Sequence, residues 1–180
     1  MSEQTIAGGA DRHDLVITRV LDAPVRLVWK AWTDPEQVMR WWGPNGFTAP
    51  LARMDVRVGG TSLVCMRAPS EFGGQDYYST WEYRAIEPLR RIEYVHNLAD
   101  QDGNPVDPVA LGMPPDFPRD QRHAVTLEAL GDDRTRLTVT EYGWTVGRMM
   151  EMSRLGMGQC LDKMAATFAR NGGDGRAGPG

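Results

Sequence analysis

From Asp14 onward the spacing of apolar and polar positions changes several times, and each change marks an element. The run Leu15-Val16-Ile17-Thr18-Arg19-Val20-Leu21 is rich in β-branched residues and of strand length. Next, Val25, Val28, Trp29 and Trp32 recur at i, i+3, i+4 and i+7, one face of a short helix, with Pro24 in its first turn and Asp22 or Ala23 as cap. Asp34, Pro35 and Gln37 then supply the cap, first-turn proline and N3 side chain of a second short helix, which Gly43-Pro44 stops. Six strand-like segments follow, at about 47–58, 61–68, 76–86, 90–98, 122–130 and 134–143. Gly59-Gly60, Pro69 through Gly74, Glu87-Pro88 and Gly131-Asp132-Asp133 separate them as hairpin-type turns, which predicts antiparallel neighbours. Finally, 146–170 carries Met150, Met157, Leu161, Met164 and Phe168 at spacings of 7, 4, 3 and 4, the apolar face of one long helix.

The segments that fit neither period are equally informative. Residues 1–12 and 171–180 have no apolar pattern to bury and are expected to be disordered, which leaves 13–170 as a single domain. Residues 99–121 form a proline-rich connection longer than most, expected to be a lid or a mobile loop. The 20 glycines and 12 prolines of the 180-residue chain concentrate in these places and in the turns. Gly156 and Gly158 are the exceptions, since each costs a helix roughly 1 kcal/mol relative to alanine. Their place on the long helix points to close packing or a bend where something must fit.

Charge and cysteine usage narrow the class. A net charge of −4 gives no footprint for nucleic acid or an anionic membrane surface. No apolar run approaches the ~20 residues of a membrane span, and the amino-terminal residues do not read as a leader. Cys65 and Cys160 lie in apolar-patterned segments without ligand spacing, so a reducing, cytoplasmic setting is expected, with no metal site. Nucleophile-elbow, phosphate-loop and dinucleotide signatures are absent, and no cofactor is expected.

Strand, two short helices, six strands and one long helix describe an α+β domain in which a seven-stranded antiparallel sheet is covered by the last helix. That order resembles the helix-grip fold of the START-like, SRPBCC or Bet v-like superfamily. The motifs Asp22-Ala23-Pro24, Val28-Trp29, Trp32-Thr33-Asp34-Pro35-Glu36 and Trp41-Trp42-Gly43-Pro44 are similar to those of its branch related to the activator of heat-shock protein 90 ATPase homologue. So are Asp55-x-Arg57-x-Gly59-Gly60, Met66-Arg67-x-Pro69, Tyr83-x-x-Ile86-x-Pro88 with Arg91-Ile92, and Leu161-Asp162-Lys163-Met164. The resemblance implies a curved sheet with two short helices and one long C-terminal helix enclosing a cavity. Many members carry Gly-Trp where this chain has Gly156-Met157, which implies a less aromatic lining at that level. The chain has no room for the separate amino-terminal domain of the eukaryotic co-chaperone, so direct chaperone activation is not the expectation.

Strand alternation then picks out candidate lining residues. Ile92, Tyr94 and His96 share one face, His123 shares its face with Val125 and Leu127, and Glu141 with Leu137 and Val139. A hairpin about Gly131–Asp133 places Glu141 opposite Arg122 or His123, and pairing of 90–98 with 122–130 brings His96 near His123. A His96, His123, Glu141 cluster beneath the 99–121 loop is therefore predicted, suited to orienting a ligand group or to acid–base work near neutral pH. Hydrogen-bonded structural histidines at the sheet rim are the competing reading. Trp81, Tyr83 and Tyr94, faced by Met150 and Met157, complete the predicted ligand-binding lining, with ordinary core packing as their alternative. Trp29, Trp32, Trp41 and Trp42 are expected to be structural, closing the mouth between the short helices and the sheet. The leading expectation is binding of a small hydrophobic or aromatic molecule. The alternatives are a cyclase-, dehydratase- or hydrolase-like enzyme using His96, His123 or Glu141, and a co-chaperone-like interaction module. A homodimer stays open.

Overall fold

The computed structural model describes residues 11–171. The chain runs β1 (Arg12–Leu21), α1 (Val25–Thr33), α2 (Pro35–Trp41), β2 (Thr48–Arg53), β3 (Thr61–Arg67), β4 (Asp76–Glu87), β5 (Arg91–Ala99), β6 (Gln121–Ala129), β7 (Thr135–Thr145) and α3 (Arg148–Asn171). One antiparallel sheet holds all seven strands in the order β1-β7-β6-β5-β4-β3-β2, with α3 packed along it: the helix-grip arrangement. Arg12 and Asn171 belong to β1 and α3 and not to loose ends; the remainder of the two terminal segments lies outside the described residues. Among the described residues no helix is long and apolar enough to cross a membrane.

The two short helices form where their periodicity placed them. Val28, Ala31 and Trp32 of α1 and Val38 and Trp41 of α2 are buried. The Asp34 carboxylate caps α2 by accepting from the backbone N–H groups of Glu36 and Gln37. At α1 the cap residue is Pro24 itself, with no side-chain bond, rather than Asp22 or Ala23. Met150, Met157, Leu161 and Met164 of α3 are all buried, and Phe168 packs partly buried against the same core.

Three segments differ from the sequence expectation, each for a local reason. β2 ends at Arg53 because 55–60 folds into a turn, in which Arg57 Nε donates to Asp55 Oδ1 at 2.9 Å and Gly60 N donates to Arg57 O at 2.8 Å. A Cβ on Gly60 would stand 2.4 Å from Asp55 O, so only glycine closes this turn. The 99–121 segment is ordered over the end of the sheet: Asp100 accepts from Asp102 N and Asn104 N, Asp107 caps a single helical turn at Pro108–Leu111, and Arg119 pairs with Asp107 at 2.6 Å.

The third difference shapes the site. β7 continues past Gly143 to Thr145 through a β-bulge, because Leu15 faces Glu141 while His13 faces Trp144, which leaves one extra residue in β7. Gly143 takes φ = +71° there, and its N–H donates to Asp14 Oδ1 at 3.0 Å. Strand alternation alone would set Glu141 and Trp144 on opposite faces; the bulge puts both on the concave face, and both are buried. Gly143→Ala has open space for its methyl group but retains the left-handed backbone. Urea unfolding should show a loss of about 1 to 2 kcal/mol, and unchanged stability would mean that the bulge relaxes freely.

Candidate functional site

Between α3 and the concave face of the sheet lies a pocket of about 240 Å³. Met149, Met152, Ser153, Gly156, Met157 and Cys160 line it from α3, and Met113 and Phe117 close it from the 99–121 segment. Trp42 and Pro44 border the mouth, and His96, Gln121, His123 and Glu141 occupy the sheet wall. Strand register explains that wall. Tyr94 of β5 pairs with His123 of β6, which pairs with Glu141 of β7, while His96 pairs with Gln121 one step nearer the sheet end. The three predicted polar residues are thus neighbours, with Glu141 opposite His123.

The hydrogen bonds determine what each group has left to offer. Gln121 Nε2 donates to Tyr142 O at 3.1 Å, which turns its Oε1 toward His123 Nε2, 3.0 Å away. That nitrogen must then carry the proton, so His123 Nδ1 accepts from the Tyr94 hydroxyl at 3.3 Å. Both nitrogens of His123 are engaged. The His96 ring stacks on that of His123, centroids 5.0 Å apart and 15° from parallel, and its nitrogens have no hydrogen-bond partner among the described residues. Glu141 is buried and accepts from Trp144 Nε1 at 2.8 Å, while Ser153 Oγ stands 2.8 and 3.2 Å from its two carboxylate oxygens.

Burial governs the protonation states. It pushes His96 down to about 4. It holds His123 well below the ordinary histidine range, with repulsion from His96 adding to the effect. It raises the Glu141 carboxyl, against the bonds from Ser153 and Trp144. The Cys160 thiol is pushed up to about 11, which keeps it uncharged beside the pocket.

Trp81, Tyr83, Tyr94 and Met150 do not line the pocket; they are buried behind it. Alternation reports which face a side chain takes but not how deep it sits. Here Trp32 and Trp42 cover Trp81 at ring separations of 6.0 and 5.1 Å, and Trp81 covers Tyr94 at 5.0 Å. Tyr83 is tied to Ser62, 2.7 Å from its hydroxyl. Of the eight predicted lining residues, His96, His123, Glu141 and Met157 reach the pocket. Trp42, expected from sequence to be structural and to close the mouth, borders the pocket as well.

With this geometry in place, comparison with known proteins is decisive for the family. Residues 22–169 match the family described as activator of Hsp90 ATPase homolog 1-like protein. The chain belongs to that family. No curated protein matches it. Among solved structures, this AHSA1-like chain is similar to a protein of Arthrobacter aurescens at 27% identity and TM-score 0.72, covering 91% of this chain and 92% of that one. A protein of Chromobacterium violaceum is 27% identical over 86% of this chain and 95% of its own, with TM-score 0.69. An AHSA1 protein of Silicibacter pomeroyi, 19% identical with TM-score 0.69 and covering 88% and 99% of the two chains, shares the fold.

Sequence reasoning passed over Trp144 and Ser153, which hold Glu141 in this AHSA1-like chain. An isolated glycine inside a strand pattern, Gly143, was the available signal for a bulge. Met113 and Phe117 had no comparable signal, because the proline-rich segment lacks a period from which to read contacts.

The histidines make stability depend on pH. An unfolded histidine takes its proton near 6.5, whereas folded His96 does so only near 4. The unfolded chain therefore binds more protons in that window, and stability falls as pH drops through it. Glu141, whose raised carboxyl favours the proton in the folded state, acts in the opposite sense. His96→Gln removes one titrating ring, so urea unfolding between the two pH values should show a smaller loss than wild type, by on the order of 1 kcal/mol. An identical loss in both proteins would contradict a His96 ring held neutral in the folded state.

Proposed function

We propose that this protein binds a small hydrophobic or aromatic molecule in the pocket between α3 and the sheet. The observation that carries this reading is the pocket's makeup: about 240 Å³ of space, walled mostly by methionine and aromatic side chains, with few polar groups, of which the His96 ring and Trp42 Nε1 have no protein partner among the described residues. An engineered apolar cavity of about 150 Å³ is enough to take benzene. The space under α3 therefore suits one or two fused rings. Five flexible methionines in the lining, Met66, Met113, Met149, Met152 and Met157, suit a wall that adapts to its occupant.

The same hydrogen bonds weigh against acid–base catalysis. Both nitrogens of His123 already have protein partners, Glu141 Oε2 accepts from Trp144 Nε1 and Ser153 Oγ, and the lining holds no further carboxylate and no lysine to complete an acid–base pair with His96. A protein-interaction role has one observation in its favour, the exposure of Val146, Met152 and Leu155 near the start of α3. Two buried, unpaired cysteines support a reducing cytoplasmic setting.

Ligand at about a hundred times its Kd adds about 2.7 kcal/mol to stability, which for a chain of this size raises Tm by about 5 to 10 °C. A melting screen of lipids and of one- and two-ring aromatics should find such a shift. Gly156→Leu places a side chain in the pocket on the side of Pro44, whose Cβ a Cβ at this position would meet at 3.9 Å. That variant should keep the wild-type Tm or exceed it, because a helix former replaces glycine, and should lose the ligand shift. Wild-type protein that shifts with nothing in the screen contradicts the reading.

A further inference from the structure

The chemistry around the pocket says which class of ring compound it takes, an inference that rests on the binding reading above. Its lining contains no lysine or arginine. Lys163, three residues beyond Cys160 on α3, directs its ammonium to Gly43 O at 2.8 Å and Phe47 O at 3.2 Å, so its charge serves the 43–47 turn. The two imidazoles on the sheet wall are held neutral by burial, and the one carboxylic side chain of the lining, Glu141, accepts from Trp144 Nε1 and Ser153 Oγ. An anionic ligand would lose its hydration on entry and meet no cation, with a carboxyl group in the same wall. Burying a charge without a partner is among the most costly changes a site can make.

A neutral ring compound meets a different environment. Phe117 and Trp144 stand edge to face, centroids 5.6 Å apart, and Trp42 borders the mouth, so flat apolar faces are available. His96 offers one N–H and one lone pair at the wall, with no protein group competing for either among the described residues. His123, stacked beneath it, is fixed by Tyr94 and Gln121 and so supports the His96 ring without offering a bond of its own.

We propose that the pocket selects uncharged, planar ligands carrying a single hydroxyl or carbonyl, that His96 bonds this group, and that the same ring bearing a carboxylate is rejected. His96 is thus the specificity-determining residue on the sheet wall, and Glu141 helps to exclude anions.

Titration calorimetry at neutral pH with naphthalene, naphthol and naphthoate separates the parts. Wild type should bind naphthol about tenfold more tightly than naphthalene, one hydrogen bond's worth, and naphthoate at least about 30-fold more weakly than naphthol. His96→Leu should erase the difference between naphthol and naphthalene while leaving naphthalene affinity within about threefold, which a collapsed pocket would not do. Glu141→Gln, which keeps an acceptor oxygen for Trp144 and Ser153, should recover only part of the affinity for naphthoate, because the lining still offers no cation. Equal wild-type affinities for naphthol and naphthalene, or for naphthol and naphthoate, overturn this inference and leave the binding reading standing. Failure of all three compounds to bind wild-type protein overturns both.

Discussion

The contact on which the rest of this structure depends is the aromatic stack that crosses the concave face of the sheet. It passes from Trp32 through Trp81, Tyr94 and His123 to His96, with ring centroids 5.0 to 6.0 Å apart. Neighbouring strands sit about 4.8 Å apart, so Trp81, Tyr94 and His123 carry the rings across β4, β5 and β6, and His96 returns them to β5. At one end α1 and α2 add Trp32 and Trp41, at 4.6 Å from each other, and the space is filled. At the other end the rings shrink from indole to phenol to imidazole, and His123 and His96 line the pocket. The pocket begins where the stack runs out of bulk.

That geometry also explains the polar residues on a core face. A buried carboxyl group is costly unless its oxygens are satisfied. Glu141 meets that condition by drawing Trp144 from its own strand and Ser153 from α3. The result couples three features distant in sequence: the glycine bulge that turns Trp144 inward, the first turns of α3 that carry Ser153, and Phe117, which packs edge-on against Trp144. His123 is held in the same manner by Tyr94 and Gln121. The polar groups of His123, Gln121 and Glu141 are engaged with protein partners, and His96, left out of that network, is a group on the sheet wall free to meet a guest.

Much of this was legible from periodicity. The order of elements, the buried face of α3, the antiparallel hairpin about Gly131–Asp133 and the adjacency of His96, His123 and Glu141 all follow from alternation, spacing and turn chemistry, and the structure has each of them. What stayed hidden needed three-dimensional information. Trp81, Tyr83 and Tyr94 share the pocket's face of the sheet, yet Trp32 and Trp42 on separate elements decide that they lie behind it. Trp144 depends on a bulge that breaks alternation, and Met113 and Phe117 sit in a segment with no repeat. Depth, bulges and irregular segments are set by partners far along the chain, which a local pattern does not name.

Entry of a guest into the space between α3 and the sheet has a direct spectroscopic test in the chain's own methionines. Five of its 10 methionines, Met66, Met113, Met149, Met152 and Met157, line the pocket. Met150 and Met164 are buried away from the lining, and Met39 is exposed. Methyl-labelled methionine spectra recorded while naphthol is added should show shifts concentrated in the first five, with Met39 and Met164 unmoved. Shifts at Met39 as large as those at Met157, or spectra in which naphthol moves none of the five, would contradict it.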